Sequence, residues 1–226
     1  MSKITLCSIM LNEEQYLPIF LQNIKGLFED YIFIDGGSSD NSIALVEAEG
    51  YKVEQIPFTM DFAKQKNNAL NLAKTKWRLF LDIDETMSLG IKKLIKTDID
   101  PYYHHVFALF RDNFLDGGGQ DDYPLDIPIR LFGDDVYYEG TVHEQPIVKD
   151  KTIIKFLGGR LYHKKDSYRQ FRANYIYELI RRGVKELPPA DEGAFNDNGR
   201  LRKVKLLPGR KIRILDEFVE GQLLNT

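Results

Sequence analysis

Hydrophobic and polar positions change period repeatedly through the first half of the chain. Ile4 to Ile9 is a short apolar run of strand length. Asn12-Glu13-Glu14 then opens a stretch in which Leu17, Phe20, Leu21 and Ile24 recur at helical spacing, with acids where a helix dipole favours them. Tyr31-Ile32-Phe33-Ile34 reads as a second strand, closed by the turn signal Asp35-Gly36-Gly37-Ser38-Ser39-Asp40. Ser39 or Asp40 is the expected cap of a helix carrying Ile43, Leu45 and Val46. Lys52 to Pro57 predicts a third strand and residues 61–74 an amphipathic helix. Trp77 to Leu81 predicts a fourth strand, ending at Asp82-Ile83-Asp84-Glu85, and residues 88–97 a further helix. Strands alternating with helices imply an α/β/α sandwich around a mostly parallel sheet, whose ligands bind beyond the C-terminal strand ends. Both acidic turns, at Asp35 and at Asp82–Glu85, fall at such ends.

The second half is less regular. Val106 to Phe110, Ile127 to Phe132 and Val136 to Val142 read as strands, and Leu115 to Asp122 as a polar, glycine-rich loop. Ser167 to Arg182 predicts a basic, tyrosine-rich helix, residues 186–200 a loop, and Ile212 to Leu224 a final amphipathic helix. The expected organisation is a catalytic domain over residues 1–165, its nucleotide-binding half at about 1–100, followed by a basic helical extension over 166–226.

Composition narrows the class. Of 226 residues, 43% are hydrophobic and 29% charged, which argues for a globular chain. No apolar run approaches the roughly 18 residues needed to span a bilayer. The N-terminus enters a strand pattern directly, without the features of a signal peptide. A single cysteine, Cys7, excludes an intrachain disulfide and a multi-cysteine zinc site, so a cytoplasmic setting is expected. Charge is unevenly spread: residues 160–213 hold 15 Lys+Arg against 6 Asp+Glu, whereas residues 1–159 hold 16 against 25. The basic stretch suits either an anionic surface or acceptor, or simple solvation.

Asp82-x-Asp84-Glu85 is the sharpest chemical feature. Carboxylates two residues apart at a strand end can converge on a hard cation, with water and phosphate oxygens completing its shell. Four ordered segments then carry a resemblance: Ser8-Ile9-Met10-Leu11-Asn12-Glu13-Glu14, Ile32 to Ser42, Asp61 to Leu70, and Trp77 to Glu85. Together they resemble the family 2 glycosyltransferases, the inverting GT-A group that uses nucleotide-diphospho sugars. Pro128-Ile129-Arg130-Leu131-Phe132 and Tyr138-Glu139-Gly140-Thr141-Val142-His143-Glu144 look like a subgroup pattern, and the resemblance covers roughly residues 4–165.

The resemblance implies a nucleotide site lined by Leu11, Asn12 and Glu14, with Asp35 near the uracil or ribose. Lys66, Asp82 and Ile83 belong to the same donor site, with Lys66 positioning or balancing charge near the diphosphate. Lys66 stands where the family often has arginine, and Gly36 where many members have a second Asp. Asp84 would ligate Mn²⁺ or Mg²⁺, Asp82 the ribose or the metal, and His163 is a further candidate ligand. Glu85 would bind a metal-shell water or cap the next helix. An inverting transfer needs a carboxylate to take the acceptor proton. Glu144 is the candidate, oriented by His143, with Asp121 and Asp122 behind it; the alternative for Glu144 is an ion pair with a basic neighbour. Arg130 would contact acceptor or phosphate, or form a structural salt bridge. Trp77 is expected in the core, and Tyr137 and Tyr138 are the candidate sugar-stacking rings.

The expected activity is metal-dependent, inverting transfer from a UDP-sugar to a glycan or lipid-linked acceptor, with modified nucleic acid second. A sugar-phosphate nucleotidyltransferase is the rival enzyme, but the acidic Asn12-Glu13-Glu14 is not the glycine-rich, basic phosphate loop that class needs. A non-catalytic carbohydrate or nucleic-acid binder is the rival outside enzymes, and retention of Asp82, Asp84 and Glu144 speaks against it.

Overall fold

The computed structural model describes residues 4–97, 105–118, 126–148, 153–187, 203–207 and 211–215. The chain divides into two compact units, residues 1–165 and 166–226. The first unit contains strands β1 (Ile4–Met10), β2 (Asp30–Asp35), β3 (Val53–Gln55), β4 (Trp77–Phe80), β5 (Glu85–Met87), β6 (His105–Leu115), β7 (Ile129–Phe132), β8 (Tyr137–Glu139), β9 (Gln145–Ile147) and β10 (Ile153–Lys165). Its helices are α1 (Leu17–Ile24), α2 (Ser42–Ala48), α3 (Phe62–Leu72) and α4 (Leu89–Leu94). Among the described residues no helix is long and apolar enough to cross a membrane.

Eight strands form one sheet in the order β3-β2-β1-β4-β7-β6-β10-β5, with β8 and β9 as a separate hairpin. The β3-β2-β1-β4 half is parallel, as the strand–helix alternation requires. Antiparallel β7 then reverses the direction, and β6 with β10 restores a parallel pair. The period-2 pattern of the strands sorts the core into two clusters. Ile4, Leu6 and Met10 of β1, with Leu79, Leu131 and Phe33, pack with Leu17, Phe20, Leu21 and Ile24 of α1, Val46 of α2 and Ile91 of α4. Cys7, Ile34, Phe80 and Phe132 face the other way, against Ala63, Ala69 and Leu70 of α3 and Tyr138. The arrangement is the expected α/β/α sandwich with a mixed sheet, and Trp77 is in the core.

Local chemistry explains the helix ends. Pro18 in the first turn of α1 forfeits only an amide hydrogen that has no helical partner there. Asp61 caps α3, its side chain accepting from the Lys64 amide at 2.9 Å. Ser39 and Asp40 do not sit at the cap of α2, which starts after Asn41; Asp40 instead accepts from the Ser42 amide at 2.9 Å.

The second unit begins with α5 (Ser167–Arg181), capped by Asp166. The expected helix from Ile212 is not formed in the described residues. Lys203–Leu207 and Lys211–Leu215 are strands β11 and β12, paired antiparallel. The reason is visible in the sequence: Lys203-Val204-Lys205-Leu206 and Lys211-Ile212-Arg213-Ile214 alternate with period 2, and a Pro-Gly dipeptide between them favours a turn. Residues 216–224 lie outside the described residues.

Two positions give tests of this packing. Gly159 has φ +110°, and a Cβ there would lie 2.8 Å from the Ile91 amide nitrogen and 2.9 Å from Ser88 Oγ. Gly159→Ala is therefore expected to cost about 2–4 kcal/mol, from left-handed strain plus overpacking, measured by urea unfolding. A change under half a kcal/mol, on the order of a neutral surface substitution, would contradict the packing of β10 on α4. Burial pushes the Cys7 thiol up to about 12, so at pH 8 only about one in ten thousand molecules carries the reactive thiolate. A thiol reagent should label the native protein negligibly and the guanidinium-unfolded protein with one equivalent.

Candidate functional site

The turn that follows β4 is fixed by hydrogen bonds at both ends. The Leu81 amide donates to Cys7 O at 3.1 Å, and the Glu85 amide to Asp82 O at 2.9 Å. Glu85 returns the contact, its Oε2 accepting from the Asp82 amide at 3.1 Å. Glu85 is fully buried, and its Oε1 accepts from Arg111 of β6 at 2.7 Å and Arg130 of β7 at 2.5 Å. It does not cap α4, whose N-cap is Ser88. Its role follows from burial: a carboxylate removed from water needs matched cations, and two arginines supply them. Arg111 is held in turn by Asp126. Arg130 also reaches Asp82 Oδ2 at 2.7 Å, so the salt-bridge alternative describes its contacts.

Asp82 therefore has a cation on each oxygen, Arg130 on Oδ2 and Lys66 Nζ at 3.3 Å from Oδ1, with acceptor capacity to spare. Burial alone would raise its pKa, but Lys66, Arg130, Arg111 and His163 together hold it well below the usual carboxylate range. Lys66 is not a surface lysine. Its side chain is 5% exposed, and Nζ lies 2.6 Å from Glu144 Oε1. Burial would lower its pKa, but Asp82 and Glu144 reverse the shift and keep it charged. The rings of Phe80 and Tyr138 lie 4.5 and 5.1 Å from the ammonium, within cation–π range. Tyr138 is buried and its hydroxyl is pushed up to about 12 by that burial, so the ring serves the interior; Tyr137 is the exposed one of the pair.

Asp84 and His163 form the second part. The antiparallel register places His163 of β10 opposite Glu85 of β5, and the Lys164 amide donates to Asp84 O at 3.0 Å. Asp84 Oδ2 and His163 Nε2 consequently stand 3.2 Å apart. Both side chains are buried, Asp84 included, although its strand-end position suggested a surface residue. His163 Nδ1 contacts Asn113 Oδ1 at 2.6 Å. An amide oxygen only accepts, so Nδ1 carries the hydrogen and Nε2 is the atom aimed at Asp84. Two donors bound to one divalent cation at about 2.1 Å stand about 3 Å apart, so this pair fits such an ion. Among the described residues no group of three or more His, Cys, Asp or Glu side chains could hold a metal unaided.

The loops after β1 and β2 are tied to each other. Ser38 Oγ accepts from the Asn12 amide at 2.8 Å, Asn12 Oδ1 from the Ser39 amide at 2.7 Å, and Glu14 Oε2 from the Asn41 amide at 3.0 Å. Asp35 is buried and folds its own turn, accepting from the Gly37 and Ser38 amides at 2.8 and 3.0 Å and from Ser38 Oγ at 2.5 Å. At Gly36 a Cβ would lie 3.1 Å from Phe58 Cβ and 3.7 Å from Leu11 Cβ. Phe58 thus crowds the position where many family members carry Asp.

The other expected residues fall as follows. Ile83 is buried in the aliphatic core. His143 is exposed, in a left-handed backbone conformation with φ +53°. Asp121 and Asp122 lie outside the described residues. Glu85, Arg111 and Asn113 are the residues whose site role the sequence did not disclose. The available signal was charge or amide in an otherwise apolar strand, as at Arg111 and Asn113 in the run His105 to Leu115.

Comparison with known proteins places the chain in a family and a fold. The family described as "Glycosyl transferase family 2" matches residues 5–180. A TPR repeat-containing protein of Synechococcus elongatus is 27% identical over 146 residues, 64% of this chain and 35% of that protein. An uncharacterized glycosyltransferase of Rickettsia felis is 31% identical over 96 residues, 42% of this chain and 34% of its own length. The chain thus spans about a third of the length of these relatives. The crystal structure of S. aureus TarS residues 1–349 with UDP-GlcNAc superposes with a TM-score of 0.54 at 19% identity, covering 85% of this chain and 70% of that one. The fold is GT-A, and the chain belongs to glycosyl transferase family 2.

Proposed function

We propose that the protein transfers a sugar from a nucleotide-diphospho donor, a UDP-sugar, to an acceptor hydroxyl with inversion at the anomeric carbon. The observation that carries this reading is the meeting of two kinds of carboxylate around the turn that follows β4. Asp84 pairs with His163 where a cation fits, and Glu144 stands across Lys66 from Asp82. Family membership and the UDP-GlcNAc complex of TarS support the donor class. A divalent ion, Mn²⁺ or Mg²⁺, would be held by Asp84 and His163. It would supply charge stabilisation to the departing diphosphate.

The chain's own residues do the remaining work. Arg130 and Lys66 fix Asp82, which is left as a hydrogen-bond acceptor for a donor hydroxyl such as a ribose. Glu144 takes the acceptor proton while the new carbon–oxygen bond forms opposite the leaving group. The acceptor class is a glycan or lipid-linked hydroxyl; no observation favours a nucleic acid.

Asp84 is buried, so the informative variant is the isosteric Asp84→Asn. It should retain the fold by circular dichroism and lose most Mn²⁺-stimulated UDP release, by about 100-fold, since a carboxamide is a far weaker ligand for a hard cation. Wild-type stimulation would remove the metal assignment. Glu144→Gln should keep UDP affinity and lower transfer about 100-fold or more, the usual size of a general-base contribution. Near-normal transfer in that variant would remove Glu144 as the base.

A further inference from the structure

Lys66 stands between the donor side and the acceptor side of the site, and its contacts are unequal. The Glu144 contact, at 2.6 Å, is a close charge-assisted hydrogen bond, whereas the Asp82 contact is 3.3 Å. Asp82 has a nearer cation in Arg130, at 2.7 Å. Among the described residues Lys66 is the cation paired with Glu144, whose side chain is 12% exposed. Removing the ammonium therefore leaves Asp82 matched and Glu144 unmatched.

The same helix also fastens the segment that carries Glu144. Asn67, the next residue of α3, clamps the backbone of Tyr138: its Nδ2 donates to Tyr138 O at 2.9 Å and its Oδ1 accepts from the Tyr138 amide at 2.8 Å. The Phe62 amide donates to Thr141 O at 3.1 Å. The first half of α3, from Phe62 to Asn67, thus sets the path of residues 138–144, and Lys66 sets the carboxylate at the end of that path. The rings of Phe80 and Tyr138 wall the ammonium in, so its position is fixed by packing as well as by charge.

We propose that Lys66 is the positioning residue of Glu144, acting on transfer through that carboxylate rather than through the donor diphosphate. The inference rests on the reading of Glu144 as the base. Lys66 holds Glu144 through Oε1, which leaves Oε2 to receive the proton. In the transfer step the acceptor oxygen forms its bond to the anomeric carbon and its proton passes to Oε2. The bond from that carbon to the phosphate oxygen breaks, and its electron pair leaves with the nucleoside diphosphate. Lys66 keeps its protons throughout.

A double-mutant cycle on the full chain tests this, with Lys66→Met, Glu144→Gln and the pair. The measurements are transfer kcat, acceptor KM, UDP affinity and melting temperature. Lys66→Met should lower kcat about tenfold or more with UDP affinity within about threefold of wild type, and should cost less than about twofold further in the Glu144→Gln background. A merely structural lysine would lower the melting temperature but leave the two effects on kcat multiplicative. Multiplicative losses, or weakened UDP binding with kcat unchanged, would overturn the proposal while leaving the base assignment standing. Wild-type transfer in Glu144→Gln alone would overturn both. Should Lys66→Met fail to fold, Lys66→Arg carries the test, since it keeps the charge but moves the donor atom. A lowered kcat with unchanged UDP affinity is then expected, and a wild-type kcat overturns the proposal.

Discussion

Carboxylates taken out of water have to be neutralised inside the protein, and the organisation of this site follows from that constraint. Asp82, Glu85 and Glu144 share Lys66, Arg111 and Arg130 across contacts of 2.5 to 3.3 Å. Moving an ion from water to a protein interior costs several kcal/mol, so each carboxylate tolerates burial only while its cation stays in place. The cations come from three different elements: α3, β6 and β7. Their convergence ties the two core clusters and the antiparallel part of the sheet to the turn after β4. A network of this kind adds little net stability, but it selects one arrangement, because any slip of a strand would strand a buried charge.

The sheet topology decides which residues can meet. Parallel β1, β2 and β4 deliver their following loops to one edge, so the Asn12–Glu14, Asp35–Ser42 and Asp82–Glu85 segments are neighbours in space. Antiparallel β5 on β10 then brings a histidine from much later in the chain beside Asp84. The first set is tied together by hydrogen bonds between loops, and the second by strand register. This division leaves one part of the proposed site built from short polar turns, and the Asp84–His163 part built from buried side chains brought together by strand register.

Much of the parallel half was legible in the sequence, because each of its strands and helices has its own period and the turns between them carry Asp, Gly and Ser. The D-x-D turn and the order of the four segments were legible for the same reason. Burial of particular charges was not. Glu85 reads locally as a cap and Asp84 as an exposed strand-end acid. What buries them is the register of β10, β6 and β7 beside them, a long-range property that no local period encodes. Strand β10 is faint in the sequence, since Gly158 and Gly159 interrupt its apolar pattern where it bulges. The hairpin at Lys203–Leu215 shows the opposite error. Its period-2 alternation was present, but the apolar residues after it suggested a helix.

The substitution of lysine for the arginine common at position 66 fits the division of labour among the cations. Arg130 has to serve two carboxylates at once, and a planar guanidinium with several donors suits that geometry, here reaching Asp82 and Glu85 through one nitrogen. Lys66 makes one close contact and is otherwise enclosed by aromatic faces. A compact ammonium sits between those faces, whereas a planar guanidinium would present its donors in a different geometry. Tyr138 is also held by Asn67 from the other side. The identity of residue 66 is therefore tied to the aromatic pair around it, and so is the placement of Glu144.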